Sequence, residues 1–78
     1  METPYIIKIA PHALTQWRHL PTKFQRKLIK FLSTLAVNPR PAGVQKIEGL
    51  TGLYSQEVDH LRVIYKVLEQ EIMVLIVK

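Results

Sequence analysis

The sequence predicts an α+β domain in which two helices pack on one face of a small antiparallel β-sheet, in the order β-α-α-β-β-β. Apolar residues recur with a helical period in the first half of the chain and with a period of two in the second half. Two prolines and a glycine between the halves exclude regular structure there. The 78 residues, 47% hydrophobic and without cysteine, fit one domain, 1–78, with a single core.

The first strand and the first helix are separated by a proline. Residues 5–9 are mostly β-branched and apolar, which is typical of a strand, and Pro11 suits the first turn of a helix. Ala13, Leu14 and Trp17 recur at helical spacing, so we expect Trp17 to pack in the core. Pro21 ends this short helix.

The second helix carries the strongest periodic signal in the chain. Thr22 followed by Gln25 predicts a capping box at its start. Its apolar residues share one face: Phe24, Leu28, Phe31, Leu32 and Leu35. Its basic residues, which we call the basic ridge, share the other face: Lys23, Arg26, Lys27 and Lys30. A solvated helix face is the simpler interpretation of the basic ridge.

The second half of the chain predicts three strands. Residues 38–43 form an irregular connection back to the sheet. Asp59-His60 reads as a two-residue turn between alternating segments, which predicts a β-hairpin. Glu69-Gln70 predicts the next turn, and residues 72–77 are apolar on both faces, as in a strand inside a sheet.

The hairpin register assigns side chains to the two faces of the sheet. With Asp59-His60 as the turn, Glu57 lies opposite Arg62, and both point away from the helices. Arg62 and Lys66 then lie on an open sheet face, where a phosphate backbone can bind. The simpler prediction is an ion pair between Glu57 and Arg62, which would cancel much of the local positive potential.

Charge and composition restrict the class of function. Residues 1–46 hold eight Lys or Arg against the single acid Glu2, whereas residues 47–78 hold three against five acids. Such asymmetry indicates an anionic partner. The three histidines lack the spacing of metal ligands, and no nucleophile arrangement or glycine-rich phosphate loop is present, so we expect neither metal nor cofactor. With no long apolar run and no signal peptide, a cytoplasmic protein is expected.

Several motifs in the order and spacing of one family span nearly the whole chain. They are Ala10-Pro11, Leu20-Pro21, Asn38-Pro39-Arg40-Pro41, Lys46-Ile47-Glu48-Gly49-Leu50, Gly52-Leu53-Tyr54 and Leu61-Arg62-Val63-Ile64-Tyr65. The chain resembles the RelE/ParE superfamily of toxins from type II toxin-antitoxin modules, and most of all the RelE-like members. The fold predicted above is that family's fold.

The resemblance implies an mRNA interferase that enters the ribosome and cuts the message, using the 2′-hydroxyl of the RNA as nucleophile and no metal. Arg62 matches the family's strand arginine, which implies a catalytic role at the scissile phosphate. The expected RNA contacts are the basic ridge with Lys46 and Lys66. The implied partners are a cognate antitoxin, the ribosome with its mRNA, and operator DNA through the toxin-antitoxin complex alone, with no membrane.

The chain departs from the nuclease members at three places. Ser55 and Glu57 stand where basic residues are often found, and Lys78 is the last residue where the family commonly continues with Gly-His-Arg and a tyrosine-bearing segment. A shortened form and a naturally reduced member both fit. Three functions therefore stay open: an RNA-cleaving toxin, a non-enzymatic protein that binds its antitoxin or, like ParE, DNA gyrase, and a basic domain unrelated to toxins.

Overall fold

A computed structural model describes residues 3–49 and 51–78, so Glu2 and Leu50, named above, lie outside the described residues. Two helices and five strands follow one another along the chain. They are β1 (Ile6–Ile9), α1 (Pro11–Arg18), α2 (Thr22–Val37), β2 (Gln45–Lys46), β3 (Leu53–Val58), β4 (Leu61–Val67) and β5 (Glu71–Val77). Of the described helices, none has the length and apolarity needed to span a membrane.

The predicted α+β class, with two helices on one face of the sheet, is confirmed, but the sheet is mixed. Its strand order is β1-β5-β4-β3-β2. The prediction of a wholly antiparallel sheet is wrong for β1, which runs parallel to β5 with Ile7 opposite Ile72. All the other helices and strands lie between β1 and β5 in the chain, so no tight turn requires these two strands to be antiparallel. The short strand β2 was not predicted.

The hairpin of β3 and β4 has the predicted register. Val58 lies opposite Leu61 and Glu57 opposite Arg62. Asp59, in the turn, has φ of 60°, a left-handed conformation that Asp tolerates better than most residues. At the far end Gly52 also has a positive φ, and a Cβ there would lie 3.1 Å from the carbonyl oxygen of Val67. Asp59 and Gly52 are therefore residues that suit the backbone conformations of these two turns.

A β-bulge interrupts the pairing of β4 with β5. Tyr65 lies opposite Val74 but Ile64 lies opposite Ile76, so Leu75 is an extra residue in β5. A bulge shifts every later residue of its strand by one place in the register. The Arg62 amide donates to the Lys78 carbonyl, and the Lys78 amide donates to the Arg62 carbonyl at 2.9 Å. Lys78 therefore lies opposite Arg62.

The core lies between the helices and the inner face of the sheet. The buried side chains come from both layers: Ala13, Leu28, Leu32, Leu35, Leu61, Val63, Tyr65, Ile72, Val74 and Val77. Trp17 packs against this cluster, as predicted. The predicted capping box is wrong, because the Gln25 side chain donates to the carbonyl of Trp17 instead, at 3.0 Å. That hydrogen bond ties α2 to the end of α1.

Candidate functional site

Three charged residues form a row across the open face of the sheet. Glu57 on β3 lies opposite Arg62 on β4, and Arg62 lies opposite Lys78 just after β5. Residues directly opposite one another in antiparallel strands point to the same face. All three are exposed, so we call this set the charged row. A carboxylate, a guanidinium and an ammonium group are thus neighbours on an uncovered surface.

Lys66 lies on the same face of the sheet, farther along β4. It is exposed and lies opposite Leu53 and Met73. It lies four positions along the strand from Arg62, about 13 Å at the usual rise per residue. The half-buried Ile64 lies between them. Lys66 is therefore a second cation on the open face but not a neighbour of Arg62.

The predicted ion pair between Glu57 and Arg62 is not formed. Within residues 3–49 and 51–78, the ion pairs join Lys8 to Glu71 at 3.0 Å and Lys27 to Asp59 at 2.7 Å. Exposed ion pairs gain little free energy, so facing positions in the register do not oblige the side chains to meet. Neither Glu57 nor Arg62 is neutralised by contact with the other.

A polar cavity of about 120 Å³ lies beside the charged row. Its lining comes from β3, β4 and the connection before β2: Gly43, Gln45, Ser55, Gln56, Glu57 and Arg62. The side-chain nitrogen of Gln56, Nε2, donates to the backbone carbonyl of Glu57 at 3.2 Å. The Gln56 side-chain oxygen, Oε1, is buried and, among the described residues, without a hydrogen-bond partner. The cavity thus combines the donors of Arg62 with the carboxylate of Glu57.

Aromatic packing on the inner face holds the connection that forms one cavity wall. The Tyr65 ring stacks on Tyr54 with centroids 5.9 Å apart and meets the edge of Phe31 at 6.3 Å. Its hydroxyl donates to the carbonyl of Pro39 at 2.9 Å. Burial raises the pKa of Tyr65 to about 12. This buried tyrosine therefore ties Pro39, near the start of the connection, to the sheet.

Arg40 and Lys46 lie near the other end of β3, away from the charged row. The Arg40 side chain donates to the Tyr54 hydroxyl at 2.8 Å and lies over its ring, 5.4 Å from the centroid. That hydrogen bond raises the pKa of the Arg40 guanidinium. Lys46 lies opposite Tyr54, whose ring stacks on the buried Tyr65. It therefore points to the helix side of the sheet and not to the face of Arg62.

Most of the basic ridge lies on the opposite side of the sheet from the charged row. Leu28 and Leu32 turn one face of α2 toward the sheet, whereas Lys23, Arg26 and Lys30 are exposed on the other. Lys27 bonds to the carboxylate of Asp59 in the hairpin turn at 2.7 Å. The structure therefore places Arg62 and Lys66 on one face and separates both from the basic ridge and Lys46.

Two cationic positions were missed in the sequence. Lys78 lies opposite Arg62 because the bulge at Leu75 shifts the register of β5. The residues of β5 are all apolar around this point, so the sequence does not show where the bulge occurs. Arg40 was part of a motif, but its contact with Tyr54 depends on the path of an irregular segment. A proline-rich turn that ends beside an aromatic strand residue is the signal that was available.

Comparison with known proteins identifies the family. A family model described as the ParE toxin of the type II toxin-antitoxin system, parDE, matches residues 7–78. The chain belongs to this family. No curated protein matches the sequence of this toxin significantly.

Solved structures of RelE-type proteins share the fold of this RelE/ParE-superfamily toxin. The archaeal RelE-RelB complex from Pyrococcus horikoshii is 29% identical with a TM-score of 0.86, covering 96% of this chain and 93% of that chain. The intact RelBE complex of E. coli is 26% identical with a TM-score of 0.81, covering 94% and 93%. The YoeB dimer of Staphylococcus aureus, 24% identical with a TM-score of 0.83 and coverage of 96% and 95%, shows the fold alone.

Proposed function

We propose that this toxin inhibits translation by cleaving mRNA on the ribosome, with Arg62 at the scissile phosphate. The observation that carries the proposal is the charged row, in which Arg62 and Lys78 are neighbouring cations on a sheet face that no helix covers. A guanidinium can hold two phosphate oxygens at once, and an ammonium beside it adds a second positive charge. The resemblance to RelE structures supports the same assignment.

The reaction is a transfer of the phosphoryl group within the RNA. The 2′-oxygen loses its proton to water and bonds to phosphorus, the bond from phosphorus to the 5′-oxygen breaks, and the 5′-oxygen takes up a proton from water. The products are a 2′,3′-cyclic phosphate and a 5′-hydroxyl, without oxidation or reduction. Negative charge builds up on the phosphoryl oxygens in the transition state, and Arg62 and Lys78 stabilise it.

The basic ridge supports a site surrounded by RNA. The domain extends 33 × 31 × 24 Å. Because the helices pack on one face of the sheet, the outer surface of α2 and the open sheet face point in opposite directions. Lys23 and Arg26 lie on the helix side of the sheet and Arg62 on the open side, and an enclosing ribosomal site presents RNA to both. We propose that the basic ridge, Lys46 and Lys66 contact RNA there. These contacts weaken as salt rises, since they release counterions.

A cognate antitoxin is the proposed protein partner. Two of the similar structures are complexes of RelE with RelB, and family membership implies the same kind of module for this chain. We propose that the antitoxin holds the toxin inactive in the cytoplasm and that the toxin reaches operator DNA through the complex alone.

Primer extension in a reconstituted translation reaction tests the nuclease. The wild-type chain is expected to cut mRNA within the codon in the ribosomal A site. Arg62→Ala is expected to slow cleavage by about 10²–10³-fold, the usual cost of removing a donor that stabilises a transition-state oxyanion. Lys78→Ala is expected to slow it less, because an ammonium is a point charge without the paired donors of a guanidinium.

Arg18→Ala is the matched control, because Arg18 is an exposed arginine at the end of α1 outside the proposed contacts. Its cleavage rate is expected to equal that of the wild type. Intact message from folded wild-type protein, or equal loss in both arginine variants, would contradict the proposed role of Arg62.

Binding of DNA gyrase is the second candidate function. The matching family model is that of ParE, and Ser55 and Glu57 occupy positions that are often basic in the nuclease members. This function predicts that the toxin inhibits supercoiling by purified gyrase and leaves mRNA intact on the ribosome. The two assays together separate the candidates.

A further inference from the structure

The carboxylate of Glu57 is the feature of the open face that phosphate binding does not explain. A negative charge directly opposite Arg62 opposes the approach of an RNA phosphate. Yet Glu57 makes no ion pair with Arg62, and both residues line the polar cavity of about 120 Å³. A carboxylate kept free in such a cavity is available to accept hydrogen bonds from a ligand.

The hydrogen-bonding groups of the cavity define the ligand they would fit. Ionised Glu57 is an acceptor with two oxygens. Gln45, Ser55 and Arg62 supply donors at the same cavity. The ligand should therefore present neighbouring donors to Glu57 and an acceptor beside them.

We propose that this cavity binds a guanine base of the RNA and that Glu57 reads its Watson-Crick edge. Among the four RNA bases, only guanine presents two adjacent donors there, N1-H and the N2 amino group, with the O6 acceptor beside them. Adenine and cytosine place a ring acceptor next to their amino group, and uracil has one donor between two acceptors. A carboxylate binds the guanine edge with two hydrogen bonds and repels the ring acceptors of adenine and cytosine.

The size and position of the cavity agree with a base adjacent to the cleaved bond. Its volume is about ten times the ~10–15 Å³ that one water molecule needs, so the edge of a planar ring can enter. Arg62 lines the cavity and, in the proposed function, holds the phosphate. Protein sites that read RNA sequence commonly bind unstacked bases by their Watson-Crick edges. The inference rests on the proposed function in one respect: it takes the phosphate held by Arg62 to be the one at which the RNA is cut.

Nucleotide binding to the full chain tests the base preference without cleavage. In NMR titrations with the four ribonucleoside 3′-monophosphates, the guanosine nucleotide is expected to bind about tenfold more tightly than the others, within the usual discrimination of a bidentate contact. It is expected to shift the amide resonances of Ser55, Glu57 and Arg62. Glu57→Gln is expected to bring the four affinities within about twofold of one another, because one acceptor oxygen becomes a donor.

Glu69→Gln is the matched control, since it makes the same chemical change at an exposed carboxylate in the turn between β4 and β5. It is expected to keep the preference for guanosine. Equal affinity of the wild type for all four nucleotides, or a preference that survives Glu57→Gln, overturns the proposal.

Cleavage of messages that differ in the position of guanosine separates this inference from the proposed nuclease. Cleavage that ignores guanosine overturns the base pocket and leaves the nuclease intact. A guanosine preference in binding, with no cleavage of any message, supports the pocket and refutes the nuclease. Slower cleavage by Glu57→Gln is not diagnostic by itself, because a carboxylate near the phosphate can also accept the 2′-hydroxyl proton. The base preference of the residual cleavage is therefore the quantity to measure.

Discussion

The two faces of the β3–β4 hairpin differ in what holds their side chains in place. On the inner face Tyr65 is fully buried, stacks on Tyr54 and donates to the Pro39 carbonyl. On the outer face, three residues along each strand from these tyrosines, Glu57 and Arg62 are exposed and make no ion pair. Stability therefore depends on the inner face, and binding chemistry is available on the outer face.

The comparison shows how a small domain can keep an unpaired charged site. Alternation along a strand lets adjacent residues serve different purposes, because successive side chains point to opposite faces. The buried tyrosine also holds Pro39, in the connection that contributes Gly43 to the cavity lining. A change on the outer face should alter binding alone, whereas a change on the inner face should alter both.

The largest effect is expected from Tyr65→Ala. It removes a fully buried aromatic side chain and leaves the Pro39 carbonyl without its donor, which should lower the free energy of unfolding by about 3–5 kcal/mol. A domain of this length has a total stability of roughly 4–12 kcal/mol, so partial unfolding is expected. Urea unfolding followed by circular dichroism measures the change.

Arg62→Ala is the outer-face partner of that experiment. It should change the free energy of unfolding by at most about 0.5 kcal/mol, as is usual for an exposed side chain without specific contacts. If Arg62→Ala destabilises the domain as much as Tyr65→Ala, the outer face also contributes to stability, which contradicts the division of roles between the two faces.

Tyr65→Phe isolates the hydrogen bond and its pH dependence. Loss of the donor to the Pro39 carbonyl should cost about 1–2 kcal/mol below pH 10. Burial raises the pKa of Tyr65 from 10.0 to about 12, so the unfolded chain ionises before the folded one. The contribution of Tyr65 is present below pH 10 and is lost as the pH rises to about 12. The stability difference between wild type and Tyr65→Phe should therefore narrow across this range in urea unfolding. A constant difference would contradict the role of the buried phenol.

Local patterns in the sequence were sufficient to predict both helices, four of the five strands and the hairpin register. The helical stripe of α2 and the turn at Asp59-His60 each follow from neighbouring residues, and both are confirmed. The parallel pairing of β1 was missed because the direction of a strand after a long connection is set by tertiary packing. The failed capping box has a similar cause, since Gln25 bonds to Trp17 in the preceding helix.

The site was only partly predictable for the same reason. Arg62 and Lys66 follow from alternation in β4, whereas Lys78 depends on a bulge among apolar residues that the pattern does not distinguish. Gly43 and Gln45 reach the cavity through a connection that is held by the buried Tyr65. The ion pair of Glu57 with Arg62 was wrong because register fixes the positions of Cα atoms and not the rotamers of long exposed side chains.

The smallest effect is expected from Asp59→Asn, at the tip where the two faces meet. Asn tolerates the left-handed φ of 60°, so the substitution removes only the charge that bonds to Lys27. That hydrogen bond lowers the pKa of Asp59, so its contribution is present above the unfolded pKa of 3.8 and is lost as the pH falls through the lowered value. The urea midpoint should fall slightly at neutral pH, by less than in Tyr65→Phe, and the curves should converge in acid. In a Lys27→Met background Asp59→Asn should have no further effect at neutral pH. If Asp59→Asn still lowers the urea midpoint in the Lys27→Met background, Asp59 stabilises the turn itself and not the contact between the turn and α2. The hairpin tip would then not connect the sheet to the helices.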